Sequence, residues 1–109
     1  MAVMVIGCNG FVGSHVICEL INHGERPVGL DISSSSPLLP DMIGKYDFVQ
    51  ANVLDLGSLI RSMQQYQVDR VVALTSLVTF ATQNDPVKAY QLNVGSTLNI
   101  LEAARIIPL

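Results

Sequence analysis

Apolar residues fall along this chain in two patterns: short unbroken runs, and longer stretches in which they recur every three or four positions. Ala2 to Ile6 is an unbroken run ending at Gly7, which predicts a buried strand. From Phe11 to His23, Val12, Val16, Leu20 and Ile21 recur on one face, which predicts a helix stopped by Gly24. Pro27 to Asp31 reads as a second buried strand, and Ser33 to Pro40, rich in serine and proline, as a surface loop. Tyr46 to Gln50 predicts a third, less buried strand. Asp55 stands at the N-cap of a helix over Leu56 to Tyr66, with Leu59, Ile60 and Met63 facing inward. Val68 to Thr75 is a fourth strand. Asp85 and Pro86, an N-cap followed by proline at the first helical position, open a long helix carrying Val87, Tyr90, Leu92, Val94, Leu98, Leu101 and Ala104. The order β-α-β-β-α-β-α, with the Ser-rich loop where a crossover helix would stand, predicts an α/β class and a doubly wound, mostly parallel sheet of about four strands, ordered 3-2-1-4.

Composition narrows what such a sheet can serve. The 109 residues are 50% hydrophobic and 14% charged, enough for one packed domain spanning 1–109. A net charge of -3, with six Lys and Arg scattered along the chain, argues against nucleic acid as a partner. No apolar run approaches the roughly 20 residues of a membrane span, and no basic segment precedes the first run as in a signal peptide. Cys8 and Cys18 have neither Cys-x-x-Cys spacing nor a His pair at ligand spacing, so no metal site or redox dithiol is expected and a reducing cytoplasm is the simplest setting.

The turn after the first strand carries the chemistry. Gly7, Gly10 and Gly13 stand where one glycine permits a tight turn, a second lets backbone approach a pyrophosphate, and a third lets the helix pack against the strand. Asn9, Phe11 and Val12 complete this turn, and the unpaired N–H groups at the start of the helix face the phosphates. Asp31 ends the second strand 18 residues beyond Gly13, placed to accept hydrogen bonds from both hydroxyls of an adenosine ribose. Ile32 and three serines follow, with no Lys or Arg to offset the charge of a 2′-phosphate, so the cofactor expected is NAD rather than NADP.

With these motifs in view the chain resembles, over its whole length, the extended short-chain dehydrogenase/reductase superfamily and its NAD-dependent epimerase/dehydratase group, which has a Rossmann-like fold and acts largely on nucleotide sugars. "VIGCNGFVGSH" is similar to that group's Thr-Gly-Gly-x-Gly-Phe-Ile-Gly-Ser-His, with Ile6 for Thr and Cys8 for the second glycine. "QANVLDLGSL" resembles its Gly-Asp-Ile-x-Asp stretch, which implies that Asn52 stands where the family has an Asp on the adenine amino group, its carbonyl accepting without charge, and that Val53 lies beside the ring. "VDRVVALTS" implies that Leu74, Thr75 and Ser76 line the ribose and diphosphate, Thr75 and Ser76 replacing small alanines. "DPVKAYQLNVGSTLNILEAAR" is the most specific match, with Ser96 for a family glycine and Asn93 bracing the active-site end of the fourth strand.

The family transfers hydride with a Tyr-x-x-x-Lys pair. Four residues after Tyr46, Tyr66 and Tyr90 come Gln50, Arg70 and Val94, so no catalytic residue is assigned. The resemblance implies the NAD-binding N-terminal half of an epimerase, dehydratase or dehydrogenase that meets a sugar nucleotide through a further part. The rival is a non-catalytic dinucleotide-binding module or a subunit completed by a partner. An ATPase is disfavoured by the absence of Gly-Lys-Ser/Thr after the turn. Family members commonly dimerise through helices that include the long one, which implies a homodimer. The fourth strand, apolar and at a sheet edge, further predicts self-association or marginal stability. His15 and His23 read as a surface residue and a helix C-terminal cation, Cys8 as tight packing, and Glu102 with Arg105 as a solvated pair.

Overall fold

Four parallel strands run β3-β2-β1-β4 across the sheet of the computed structural model, which describes residues 2–34, 40–75 and 83–107. They are β1 (Ala2–Ile6), β2 (Val28–Asp31), β3 (Asp47–Gln50) and β4 (Val68–Ala73). The helices include α1 (Phe11–Asn22), α2 (Leu56–Gln65) and α3 (Pro86–Ile106), with a 3₁₀ turn at Pro40–Met42 ahead of β3. This is the Rossmann-like, doubly wound arrangement expected, in the expected strand order. The second strand begins one residue later than expected, the fourth stops at Ala73, and α1 ends one residue before His23.

Alternation along β1 explains the two layers. Met4 and Ile6 point into a core with Val28, Leu30, Val53, Leu59, Met63, Val68 and Ala103, which joins the sheet to α2 and α3. Val5 points the other way, onto Cys8 and Ile17 on the α1 side. Being central and covered on both faces, β1 has no polar position to spare, hence its unbroken apolar run.

Two helix faces differ from those the periodicity predicts. In α1 the fully buried residues are Gly13, Ser14 and Ile17, while Val12 is 56% exposed. The cause is the close approach of the helix start to the glycine turn. A Cβ on Gly13 would lie 2.1 Å from the Gly7 carbonyl oxygen, so only small residues fit and the helix is rotated to bring them inward. Ser14 remains satisfied because its hydroxyl donates to the Phe11 carbonyl (2.9 Å). In α3 the buried positions are Ala89, Ser96 and Ala103, seven residues apart, with Leu92 and Ile100 packed beside them. Val87, Tyr90, Val94, Leu98 and Leu101, apolar residues that the sequence places on this helix, are exposed.

The predicted caps form. Asp55 accepts from the Ser58 N–H (3.2 Å) and hydroxyl (2.8 Å), and Asp85 accepts from the Lys88 N–H (3.0 Å) ahead of Pro86. Gly24 takes φ +83 just beyond α1, a left-handed backbone that stops the helix. Arg105 and Glu102 pair at 2.6 Å on the outside of α3. His23 lies within 3.5 Å of Glu19 at the end of α1, with both side chains exposed.

Candidate functional site

The C-terminal ends of β1, β2 and β4 converge on the glycine turn. The Gly7 N–H donates to the Leu30 carbonyl (2.8 Å) on one side, and the Leu74 N–H donates to the Ile6 carbonyl (2.9 Å) on the other. Gly7 has φ +87, and a Cβ there would crowd the Leu74 carbonyl carbon and the Thr75 hydroxyl at 3.1 Å. The glycine therefore serves both backbone conformation and close packing. Gly10 differs: it is the N-cap of α1, in extended backbone, and a Cβ there would meet only the Gly7 carbonyl at 3.5 Å, an ordinary contact. The polypeptide does not need glycine at this position for its own packing, and the space above it is open.

Gly10 supplies no side-chain cap and α1 has no acidic residue in its first turn. The first N–H groups of a helix have no intrahelical acceptor, so they and the positive end of the dipole favour an anion. Phe11 and Val12, 71% and 56% exposed, flank this opening, and Phe11 packs edge-on against His15 at 4.8 Å. This places His15 against an aromatic ring on the helix surface.

Asp31 ties the turn to the second strand. Its Oδ2 accepts from the Asn9 N–H (3.0 Å) and its Oδ1 from the Ser33 N–H (3.0 Å), while the Asn9 side-chain amide donates to the Ser33 carbonyl (2.8 Å). Each carboxylate oxygen retains a lone pair for a further donor. Cys8 beneath it is fully buried, and its thiol is pushed up to about 12, first by desolvation and then by the Asp31 charge. A thiol so held stays protonated and unreactive, as the packing reading requires. Gly29 makes room for it: a Cβ there would lie 2.7 Å from the Cys8 Sγ.

Beside Asp31 opens a cleft of about 430 Å³, lined by Leu30, Asp31, Ile32, Ala51, Asn52, Val53, Leu54, Thr75, Lys88, Gln91 and Leu92. Five of the residues singled out from the sequence, Asp31, Ile32, Asn52, Val53 and Thr75, thus share one space. Its walls are mostly apolar with a few polar groups, and its size suits a nucleoside. The Asn52 side-chain carbonyl accepts from the Leu54 N–H (2.9 Å) in an Asx turn and keeps a second lone pair. Leu74 packs into the α1-side core, and Asn93 lies on α3 outside the cleft lining. Ser76 falls outside the described residues, and β4, whose active-site end Asn93 was expected to brace, stops at Ala73.

Sequence reasoning missed Lys88, Gln91 and Leu92, which enter the cleft from the first turns of α3, and Leu54, which packs against Gly95. It also missed Asn99, whose amide donates to the Val53 carbonyl (3.0 Å) and holds the cleft floor to the helix. A lone amide among the apolar residues of "STLNILEA" was the available signal. Among the described residues no three His, Cys, Asp or Glu side chains group as a metal site, and no helix is long and apolar enough to cross a membrane.

The profile of a family described as "NAD dependent epimerase/dehydratase family" matches residues 3–109. CDP-paratose 2-epimerase of Salmonella typhi is 27% identical over 96% of this chain and 33% of its own length. UDP-glucose 4-epimerase of Haemophilus influenzae is 29% identical over 94% of this chain and 32% of its own. The crystal structure of UDP-glucose 4-epimerase from Brucella ovis in complex with NAD superposes with a TM-score of 0.84 at 32% identity, covering 96% of this chain and 32% of that one. The chain therefore spans about a third of the length of these relatives.

Proposed function

Because the chain belongs to the NAD dependent epimerase/dehydratase family, we propose that it is the NAD-binding unit of an enzyme transforming sugar nucleotides. The observation that carries this reading is Asp31, whose carboxylate holds the glycine turn through the Asn9 N–H and also lines the nucleoside-sized cleft. Phosphates and ribose are thereby addressed by adjoining groups.

Gly10 and the first N–H groups of α1, with Phe11, Val12 and Gly13, hold the diphosphate. Asp31 accepts the ribose hydroxyls, Asn52 and Val53 meet the base, and Thr75 closes the side toward β4. Leu74, Ser76 and Asn93 belong to this assignment by their places in the family motifs. NAD, when bound, supplies a hydride acceptor for a sugar carbinol. This chain's residues orient it and exclude water from its adenosine end. The exposed stripe on α3 supports pairing with a second copy, and two free cysteines suit a reducing cytoplasm.

Calorimetric titration with NAD and NADP, beside Asp31→Ala, tests the reading. NAD is expected to bind saturably, and Asp31→Ala to weaken it by about 10- to 100-fold through loss of a charged acceptor. NADP is expected to bind more weakly, its 2′-phosphate meeting the carboxylate; the NADP arm also reads how far Lys88, a cation on the same cleft, offsets that charge. No binding of NAD by the folded chain overturns the reading.

A further inference from the structure

Among the residues lining the cleft two are charged, Asp31 at the end of β2 and Lys88 in the first turn of α3. They do not pair. The Asp31 oxygens accept from the Asn9 and Ser33 N–H groups, and among the described residues the exposed Lys88 ammonium has no partner. Nor does the charge serve its own helix. Lys88 is the third residue of α3, where the aligned peptide dipoles already concentrate positive potential, so an ammonium there opposes the helix. The N-cap carboxylate of Asp85 takes the Lys88 backbone N–H (3.0 Å) and leaves the side chain uncommitted. An unpaired cation that its helix does not favour, carried on a nucleoside-sized cleft, points to an anionic ligand.

We propose that Lys88 receives the 2′-phosphate of an adenosine ribose, so that the cleft admits NADP beside NAD and Lys88 sets the ratio between them. This rests on the dinucleotide reading above. The serine-rich segment after Asp31 carries no cation, which in the sequence disfavours NADP, but the fold brings one to the same cleft from α3. Asp31 repels a 2′-phosphate. Lysine suits the task of offsetting that repulsion, being a compact charge on a flexible four-carbon stem that reaches a ligand from a separate wall. Gln91, one turn further along that wall, adds an uncharged donor. NAD, with a hydroxyl in place of the phosphate, draws on Asp31 far more than on Lys88.

Lys88→Met is the informative variant, because methionine keeps an unbranched apolar stem and a good helix former while removing the charge. The probes are NAD and NADP, titrated calorimetrically into the native full chain, Lys88→Met and Lys88→Arg, with thermal melts to verify folding. NADP is expected to bind the native chain no more than about 10-fold more weakly than NAD, and Lys88→Met to widen that gap by about a further 5-fold, the worth of one exposed charge-assisted contact. Lys88→Arg is expected to restore the native ratio. Raising the salt concentration should weaken NADP more than NAD in the native chain, and this difference should shrink in Lys88→Met. A lysine that only supports the fold would move both affinities together. An unchanged ratio in Lys88→Met, or a native chain that binds NAD and rejects NADP, overturns the proposal while leaving the dinucleotide reading intact. Failure of both probes to bind the folded native chain overturns the dinucleotide reading, and this proposal with it.

Discussion

Two glycines of the same turn make opposite demands. At Gly13 an added Cβ would sit 2.1 Å from the Gly7 carbonyl oxygen, a backbone atom that cannot yield without moving the turn. Gly13→Ala is therefore expected to destabilise the fold by about 2 kcal/mol or more, read as a drop in melting temperature without ligand. At Gly10 the nearest atom would be 3.5 Å away, so Gly10→Ala is expected to melt within a few degrees of the native chain yet lose NAD binding, because its methyl occupies the space over the helix start. Equal destabilisation by both would make the turn mere architecture. Cys8 gives this turn a pH signature. Its folded value of about 12 lies above the usual 9.0 of a thiol, so the folded chain holds the proton more tightly than the unfolded one. Its contribution to stability is full below pH 9 and declines as pH rises toward 12, with a slope of up to about 1.4 kcal/mol per pH unit. Cys8→Ala should remove that slope in denaturant titrations between pH 9 and 11, even though the variant starts less stable.

The caps test how firmly individual helices are anchored. Hydrogen bonds from the Ser58 hydroxyl and N–H hold the Asp55 carboxyl below its usual value, so the stabilisation is present above the ordinary carboxylate range and is lost as pH falls through the depressed folded value. Asp55→Ala is expected to lower the melting temperature at neutral pH, whereas Asp55→Asn, also a good cap, should hold it there and flatten the acid-side dependence. Such caps were legible in the sequence because their chemistry is local. So were β1, whose burial on both faces leaves an unbroken apolar run, and Asp31, which the strand-turn-helix geometry puts at a fixed spacing from the glycines. What was illegible depended on contacts across the chain. The rotation of α1 follows from the approach of Gly13 to Gly7, which apolar periodicity does not register. Lys88 and Gln91 reach the cleft only because α3 crosses behind the 51–54 segment, and Asn99 holds that segment across 46 positions of sequence. The Asx turn at Asn52 was illegible because the Leu54 N–H is brought onto the side-chain carbonyl only in the folded turn.

At the scale of the whole molecule, two surfaces left uncovered among the described residues are unequal. β4 is one edge of the sheet and, at six residues, its longest strand, yet it carries Asp69 and Arg70, with Arg70 paired to Glu25 at 3.0 Å, so charge guards part of it. The outer face of α3 carries its charge at the C-terminal end, where Glu102 pairs with Arg105; ahead of that pair Val87, Tyr90, Val94, Leu98 and Leu101 recur at three- and four-residue steps, and each is at least 39% exposed. An apolar stripe at that spacing is the form in which one helix packs against another, so association of this chain should run through α3 rather than through the edge strand. Sedimentation equilibrium distinguishes the two routes. Leu98→Glu with Leu101→Lys is expected to shift the chain to monomer with little change in its melt, since neither side chain supports the core. Asp69→Val, which removes one of the charges at the edge, is expected to promote higher aggregates without altering any dimer. If the α3 pair leaves the association state unchanged while edge substitutions control it, the stripe is solvated and strand pairing is what joins the copies.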